Sequence, residues 1–300
     1  MMHGKTDHTS HTHVVPDGTT CMRISDYLSG VFPGLNTKSS VKKSLKRGEI
    51  SHNNQIATTA DFINPGDEIV YLKPISEPRK IFNLHLDVIF EDDEVAVINK
   101  PAGIVVSGNQ FRTIENALPG SLKASPSEDA LMTPQPVHRL DSLTSGLLIV
   151  AKTAKAHLHL SRQFQNKTIK KRYNAVVIGK PNDEGIITSP IENREAVTRF
   201  RTIKTWRSIK NKYLSLLEVT PETGRTHQIR IHLKELGYPI LGDTLYGTEG
   251  LILKHRGLFL CAVALEFIHP KTAEPIKVKI DPPTKFSRFP ENEEKRYNRQ

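Results

Sequence analysis

Apolar residues in the first quarter of the chain recur at helical spacing. Those in residues 23–31 predict a first helix, and a second helix is predicted over residues 38–48, where Gly48 ends it. Short strand-like segments follow, and the last of them, which ends at Leu72, begins after a Pro-Gly turn. We therefore expect a small α+β domain over residues 21–74.

The remainder of the chain is dominated by apolar runs of strand length. Strands are predicted over residues 84–90, 95–99, 146–151, 173–178, 197–203, 213–219, 259–268 and 275–280. Helices are predicted after Thr153, a residue type that caps helices, and over residues 226–236. Residues 106–133 are rich in Gly, Ser and Pro, so we expect a loop around a short helix there. The pattern favours a second α+β domain over residues 84–288.

The ends of the chain and the junction between the two domains lack these patterns. Residues 1–20 are polar and contain four histidines, which can bind a metal ion, but nothing in their spacing fixes a geometry. We expect a disordered tail over residues 1–20, a linker over residues 75–83 and a loose, charged tail over residues 289–300.

Basic residues outnumber acidic ones, 42 Lys and Arg against 32 Asp and Glu, so the formal net charge is +10. A surplus of this size indicates either an anionic partner, such as nucleic acid, or simple solubility. The surplus is concentrated in residues 42–47, 151–172 and 198–212, and the last two stretches contain no acidic residue. Such runs are often only solvated faces, but three of them in one chain favour a groove for a polyanion.

Several classes of protein are excluded. The two cysteines, Cys21 and Cys261, are too few and too far apart for a disulfide framework or a Cys-based zinc site. No apolar run reaches the roughly 18 residues of a membrane-spanning helix, and the N-terminus lacks the apolar core of a secretory signal. We therefore expect a cytoplasmic protein with no membrane partner.

Residues 138–146 concentrate polar chemistry beside a predicted buried strand. They read His-Arg-Leu-Asp-Ser-Leu-Thr-Ser-Gly. Taken alone, Asp141 is more typical of a turn or a helix cap than of a catalytic group. His138, like His227 further along the chain, is expected to orient its neighbours and not to transfer protons.

This segment and four others resemble the motifs of the RluA-type family of pseudouridine synthases. The others are Asn-Lys-Pro-Ala-Gly at residues 99–103, Lys-Lys-Arg-Tyr at 170–173, Gly-Arg-Thr-His-Gln-Ile-Arg-Ile-His-Leu at 224–233 and Leu-Gly-Asp-Thr-Leu-Tyr-Gly at 241–247. Each motif is weak alone, but five in the family's order are specific. Residues 21–74 are also similar to an S4-type RNA-binding domain, whose opening Arg-Leu-Asp reads Arg-Ile-Ser here.

The resemblance implies an isomerisation of uridine in RNA. The bond from the uracil nitrogen to the ribose breaks, the base turns, and the base is rejoined through carbon 5. Because nothing is oxidised and no group is lost, no cofactor and no metal ion are expected. The base must leave the RNA stack to be reached. A carboxylate then acts as nucleophile or as base, at the sugar or at the uracil, and the resemblance implies Asp141 for this role.

Further catalytic residues follow from the matching motif positions. An ionised carboxylate in a pocket that excludes water needs a cationic partner, for which the resemblance implies Arg230, with Arg225 as the second candidate. Tyr173 matches the tyrosine that stacks against the target base and that is also a candidate to remove the proton from carbon 5. The alternative interpretation of Tyr173 is a core residue of a strand without a catalytic role. Arg139, with its planar guanidinium, suits the gap that the base leaves in the RNA stack.

The resemblance also implies the architecture and the partner. We expect an α+β pseudouridine synthase fold, a mixed and mainly antiparallel sheet with flanking helices and a central cleft, after an N-terminal S4-type domain. The partner is RNA, either ribosomal or transfer RNA, and we expect a monomer without an obligate protein partner. The residues expected to contact RNA are Arg139, Lys42, Lys43, Lys46, Arg47, Lys171, Arg172 and Arg225.

Two other functions compete with this interpretation. A non-catalytic RNA-binding protein, such as a ribosome-assembly factor, would keep the fold but lose catalytic residues, yet Asp141, Tyr173 and Arg230 are all present. A basic metabolic enzyme would carry a cofactor or metal signature, and the sequence contains no Gly-rich phosphate loop and no cluster of metal ligands.

Overall fold

In a computed structural model, residues 8–32, 34–35, 37–74, 80–251, 253 and 255–300 are described. The chain divides into two compact units, Met1–Arg79 and Lys80–Gln300. The division falls within the stretch predicted as a linker, residues 75–83, of which residues 75–79 lie outside the described ranges.

The first unit is a small α+β structure. Its elements are β1 (His8–Val14), β2 (Met22–Arg23), α1 (Ile24–Tyr27), α2 (Lys38–Lys46), β3 (Ile50–His52), β4 (Gln55–Ile56), β5 (Phe62–Ile63) and β6 (Glu68–Pro74). Strands β1, β6, β3 and β4 form a sheet in that order, and β2 pairs with β5. Ile24, Val41 and Ile50 are fully buried, so both helices and the sheet contribute to one core.

Strand β1 corrects the expectation of a disordered tail over residues 1–20. It pairs antiparallel with β6, from His8 opposite Pro74 to Val14 opposite Glu68, and the adjoining Val15 is buried. Its His, Thr and Ser residues show no alternation of apolar and polar positions, so the local pattern contains no signal for a strand. Backbone pairing with β6, which is distant in sequence, holds β1 in place. Residues 1–7, which include His3, lie outside the described part of the chain.

The second unit is built on a large sheet. Its elements are β7 (Asp87–Glu91), β8 (Val95–Lys100), α3 (Ile114–Ala117), a 3-10 helix (Leu118–Gly120), β9 (Ala130–Pro136), β10 (Ser145–Thr153), α4 (Ala154–Gln165), β11 (Lys170–Ile178), β12 (Glu184–Ile187), β13 (Thr198–Ser208), β14 (Lys212–Pro221), α5 (Gln228–Glu235), β15 (Leu260–Ile268), β16 (Pro275–Lys279) and α6 (Lys285–Tyr297).

The sheet has ten strands and is mainly antiparallel. The main order is β12-β13-β14-β11-β15-β10-β8-β7, with β16 added to β15 and β9 added to β10. All eight predicted strands are present with shifted bounds, and the side chain of Thr153 caps α4 by accepting the N–H of Ala156 at 3.2 Å. The sequence pattern therefore identified the central strands correctly.

Two strands and one helix depart from the sequence-based expectation. β9 begins within the predicted loop over residues 106–133 and extends beyond it, and its two prolines fit a strand that pairs with β10 alone among the described strands. β12, at the edge of the sheet beside β13, was not predicted either. The predicted loose tail over residues 289–300 instead continues α6 to Tyr297. There the buried Glu293 accepts a hydrogen bond from Ser208 Oγ at 2.9 Å, so a tertiary contact holds a helix whose sequence is strongly polar.

A close parallel contact in the sheet places the segment that carries Asp141. Strands β10 and β15 run parallel, with Gly146 opposite Ala262. Gly146 has φ = 113°, and a Cβ atom there would lie 2.2 Å from the carbonyl oxygen of Ala262. Only glycine fits this position. The close contact places the start of β10 against β15, which is the neighbour of β11 in the sheet.

In the described ranges, no helix combines the length and the apolar character that crossing a lipid bilayer requires.

Candidate active site

A cavity of about 290 Å³ in the second unit collects most of the residues predicted to be functional. Most of its lining comes from three segments, namely the loop after β9, the start of β11, and the stretch from the end of β14 into α5, and Phe164 and Leu260 complete it. Asp141, Tyr173 and Arg230 all face this space, together with Arg139, Lys171 and Arg225. The structure thus brings together residues that are far apart in the sequence.

The backbone around Asp141 is held by hydrogen bonds on both sides. The N–H of Thr144 donates to the carbonyl oxygen of Asp141 at 3.0 Å, and the N–H of Gly103 donates to that of Ser142 at 2.7 Å. The carboxylate itself is 19% exposed. The turn is therefore ordered by its main chain, while the carboxylate is available to a ligand in the cavity.

Lys100, the last residue of β8, holds this turn in place by hydrogen bonds to its backbone. Its fully buried ammonium donates to the carbonyl oxygens of Pro101 at 2.8 Å, Ser142 at 3.1 Å and Thr144 at 2.9 Å. Burial lowers the pKa of Lys100 to about 8, while the charge of Asp141 acts in the opposite direction. The Asn-Lys-Pro motif thus supports the loop that carries Asp141.

Replacing this buried lysine is expected to impair both folding and catalysis. Lys100→Met should lower the free energy of unfolding by about 2–4 kcal/mol, because three carbonyl oxygens lose their donor. Turnover per folded molecule should fall by about 10²-fold, since the family resemblance implies that Asp141 acts on the substrate and a small displacement would misalign its carboxylate. Chemical denaturation and single-turnover assays measure the two effects.

Lys152 provides the matched control. It is 2% exposed, pairs with Glu91 at 2.8 Å and does not line the cavity. Lys152→Met should therefore destabilise the protein while leaving turnover per folded molecule unchanged. Equal turnover in the two variants would show that Lys100 does not position Asp141.

Arg230 on α5 lies between two carboxylates. Its Nε and Nη2 atoms each donate to an oxygen of Asp243 at 2.8 Å, and its Nη1 atom is 3.5 Å from Asp141 Oδ2. Asp243 also accepts the N–H groups of Leu245 and Tyr246. Burial alone would lower the pKa of Arg230, but Asp243 and, to a lesser degree, Asp141 outweigh it and raise the pKa. Asp243 thus orients a permanent cation towards Asp141.

The pKa of Asp243 reflects the same pairing. Burial of its side chain would raise the pKa, but the hydrogen bonds from Arg230 and from two backbone N–H groups outweigh burial and lower it. Asp243 is therefore ionised at neutral pH, and the Arg230 guanidinium shares its charge between one fully buried carboxylate and one that faces the cavity.

His227 faces Asp141 from the first residue before α5. Its backbone is left-handed, with φ = 55° and ψ = 19°, which costs about 1 kcal/mol for a residue other than glycine. Its Nδ1 atom is 3.0 Å from the Tyr246 hydroxyl, and its Nε2 atom is 3.8 Å from Asp141 Oδ1. Tyr246 therefore fixes the ring so that Nε2 lies near the carboxylate.

Tyr173 lies where β11 begins to pair with β14, opposite Val219. Burial raises the pKa of its phenol, and the charges of Asp141 and Cys261 raise it further. The ring is accordingly a neutral phenol at neutral pH. It is partly buried against the core and also lines the cavity, which combines a core position with an exposed face.

His138 has a structural role beside the exposed Arg139. Its Nε2 atom accepts the N–H of Ile149 at 3.0 Å, and its ring stacks on Phe164 with centroids 4.7 Å apart. Burial lowers the pKa of His138 to about 3, so the ring is neutral. It anchors the segment from which the Arg139 side chain extends to the cavity.

The remaining predicted RNA contacts fall into two groups. In the second unit, Lys171 lines the cavity, Arg172 pairs with Glu218 at 3.5 Å, and Arg225 Nε donates to the carbonyl oxygen of Glu195 at 3.0 Å. Arg230, and not the second candidate Arg225, thus pairs with Asp141. In the first unit, Lys42, Lys43 and Lys46 on α2 and Arg47 directly after it are exposed.

Sequence reasoning assigned no role to three residues that build the site, Lys100, Asp243 and Tyr246. All three stand in motif segments quoted for the family resemblance, at residues 99–103 and 241–247. Among the described residues, no three His, Cys, Asp or Glu side chains gather as metal ligands. The cations of the cavity are instead suited to receive phosphate groups.

Comparison with known proteins agrees with this geometry. Residues 94–235 match a family model described as RNA pseudouridylate synthase. The chain is 34% identical to ribosomal large subunit pseudouridine synthase D of Xylella fastidiosa over 301 residues, which covers 90% of this chain and 88% of the relative. It is also 34% identical to the uncharacterized RNA pseudouridine synthase YlyB of Bacillus subtilis, over 85% of this chain and 89% of the relative.

A solved structure shows the same fold. Human RNA pseudouridylate synthase domain containing 1 superimposes with a TM-score of 0.56 at 23% identity, over 69% of this chain and 87% of that chain. The mixed, mainly antiparallel sheet with flanking helices is therefore the pseudouridine synthase fold, as predicted. The chain belongs to the RluA-type family of RNA pseudouridine synthases. It is an isomerase that acts on RNA.

Proposed function

We propose that Asp141 is the carboxylate that carries out the isomerisation, with Arg230 as its cationic partner, on RNA of the large ribosomal subunit. The observation that carries this proposal is the chain of contacts from Asp243 through Arg230 to Asp141 at the wall of the cavity. Because Asp243 occupies Nε and Nη2 of the guanidinium, Nη1 remains to stabilise an ionised Asp141.

The reaction breaks one bond and forms another. The bond between N1 of the uracil and C1′ of the ribose is cleaved, and a bond between C5 and C1′ replaces it. A proton leaves C5, and N1 gains a proton, so the product is an isomer of the substrate. Asp141 either attacks as a nucleophile, which gives a covalent intermediate, or removes a proton as a base. An ionised carboxylate is required in both cases.

Tyr173 is proposed to stack against the flipped uracil. A phenol at its ordinary pKa is already protonated at neutral pH, and burial raises the pKa of Tyr173 further, so this side chain is a poor acceptor for the proton from C5. This favours stacking over proton removal. Arg139 is exposed at the wall of the cavity, where its planar guanidinium is suited to occupy the space that the flipped base vacates in the RNA.

The choice of ribosomal RNA is supported by the names of three relatives from separate genera, each called ribosomal large subunit pseudouridine synthase D. Pseudouridines should be mapped in ribosomal and transfer RNA from cells with and without this gene. We expect loss of at least one modified site in large-subunit ribosomal RNA and no change in transfer RNA. Loss confined to transfer RNA would contradict the proposed substrate.

We also infer that the first unit is an S4-type RNA-binding domain. Support comes from its two helices packed on a small sheet and from the basic side chains on α2. The buried residues of α2 are Val41, Ser44 and Leu45, so the intervening lysines, Lys42 and Lys43, point to solvent. Solvated cations on one helix are suited to contact phosphates.

Neutralising α2 is expected to weaken binding without removing the chemistry. The triple variant Lys42→Gln, Lys43→Gln, Lys46→Gln should bind substrate RNA about tenfold more weakly, with a shallower salt dependence, because phosphate contacts release counterions. On a minimal RNA hairpin, single-turnover rates at saturation should stay near the wild-type rate. Unchanged affinity and salt dependence on full-length RNA would contradict an RNA-binding role for α2.

A further inference from the structure

A second, larger cavity of about 750 Å³ adjoins the catalytic cavity. The two share Lys171, Pro221 and Thr223 in their walls. Strand β11 pairs with β14 only from Tyr173 onward, whereas residues 170–172 pair with β15 alone. The strands therefore part beside Tyr173, and the second cavity lies along this opening. We name it the backbone groove.

The lining of the backbone groove is strongly cationic. Three carboxylates, Glu195, Glu222 and Glu266, are outnumbered by six cations, Lys167, Lys170, Lys171, Arg172, Lys277 and Lys279. Within the described chain, neither Lys171 nor Lys279 forms an ion pair, and Lys170 and Lys277 both depend on Glu266, at distances of 3.4 and 3.8 Å. The carboxylates present leave a positive surplus for an anionic ligand.

The floor of the groove defines which part of an anionic ligand fits. Ile169, Leu265 and Val278 form part of it and are 4%, 3% and 8% exposed, so they already pack in the core. Among the described residues, no aromatic side chain lines the groove, so they offer no ring on which a base could stack. Lysine side chains bind phosphate as mobile point charges. The chemistry therefore suits a phosphate backbone better than a base.

We propose that the backbone groove binds the phosphates of the RNA strand that continues from the target uridine. A uridine in the catalytic cavity remains covalently joined to its neighbours, and Lys171 stands where the two cavities meet. The strand can thus pass directly from one cavity into the other. This inference rests on the proposed function, because it takes the cavity at Asp141 as the place where the target uridine binds.

Neutralising two groove lysines tests the proposal. The double variant Lys277→Gln, Lys279→Gln should raise the Kd for substrate RNA about tenfold. The slope of log Kd against log salt concentration should fall by about one to two, which corresponds to the loss of one to two phosphate contacts. The control Lys123→Gln, Lys295→Gln removes the same charge from exposed residues outside the groove, and it should bind like the wild type. The RNA probe carries cytidine at the target position, so binding is measured without turnover.

A variant that is expected to raise RNA affinity distinguishes the loss of a contact from misfolding. Glu266→Gln removes the carboxylate that pairs with both Lys170 and Lys277, so affinity should rise about threefold. A destabilised protein would not bind more tightly. Equal affinity of the double variant and its control, or weaker binding by Glu266→Gln, would overturn the proposal.

Shortened RNA distinguishes the substrate strand from any other phosphate-bearing ligand. Removing the nucleotides on one side of the target should cost the wild type as much affinity as the double variant loses. The two losses should not add, because they delete the same contact. Additive losses for truncation from either side would contradict the proposal. An inactive Asp141→Asn protein combined with a groove double variant that binds like its control would contradict this inference alone. An active Asp141→Asn protein combined with weakened binding by the groove double variant would contradict the proposed function alone.

Discussion

Asp141→Asn is expected to abolish pseudouridine formation. Asparagine keeps the shape of the side chain but is neither a nucleophile nor a base at neutral pH, so the rate should fall by at least about 10³-fold. Arg230 keeps its two bonds to Asp243, so the free energy of unfolding should change by less than about 1 kcal/mol. RNA affinity should stay within about tenfold, because the loss removes a negative charge from a cationic site. Single-turnover assays and filter binding measure these quantities.

Asp183→Asn is the matched control for this prediction. Asp183 is exposed and lies outside the catalytic cavity, so this variant should keep the wild-type rate. Wild-type activity in an Asp141→Asn preparation that is free of contaminating wild-type enzyme would show that Asp141 is not required for the reaction. The fold assignment would be unaffected.

Arg230→Met is expected to lose both stability and activity. The substitution leaves Asp243 fully buried without its cationic partner, so the free energy of unfolding should fall by about 3–5 kcal/mol. The rate should fall by at least about 10²-fold, because Asp141 loses the arginine that pairs with it in the described structure. By contrast, Arg296→Met removes an exposed arginine from its pair with Glu293, whose carboxylate keeps the hydrogen bond from Ser208, and it should cost less than about 1 kcal/mol.

A double variant separates the two roles of Arg230. In Arg230→Met with Asp243→Asn, no buried charge is left unpaired, and the asparagine oxygen still accepts the N–H groups of Leu245 and Tyr246. Stability should recover by more than half, while activity should stay low because Asp141 still lacks its partner. Recovery of both would show that Arg230 acts only as a support for the fold.

The central part of the fold was predictable because its strands are buried and their apolar runs are continuous. β10 illustrates this, since eight of its nine residues are buried. Elements at the edges were not predictable in the same way. β1, β9 and α6 carry polar or proline-containing sequences, and each is stabilised by contacts with residues distant in sequence. Local patterns contain no signal for such contacts.

The candidate site divides along the same line. Asp141, Tyr173 and Arg230 were identified from residue types at motif positions, and all three line one cavity. The choice between Arg230 and Arg225 as partner of Asp141 depended on side-chain direction. Arg225 turns to a backbone carbonyl, and Arg230 is fixed by Asp243. Neither direction can be read from spacing alone.

The amino-acid sequence by itself determined the family, the reaction and the residue types that the reaction needs, because these depend on short motifs in a fixed order. Tertiary structure decided how those residues act on one another. Three contacts join segments that are distant in sequence. They are the close approach of β10 and β15 at Gly146, the hydrogen bonds from Lys100 to the turn that carries Asp141, and the ion pair of the buried Asp243 with Arg230. The sequence located the positive surplus in stretches of the chain, whereas tertiary structure brought lysines of β11 and β16 together in one groove where β11 and β14 part.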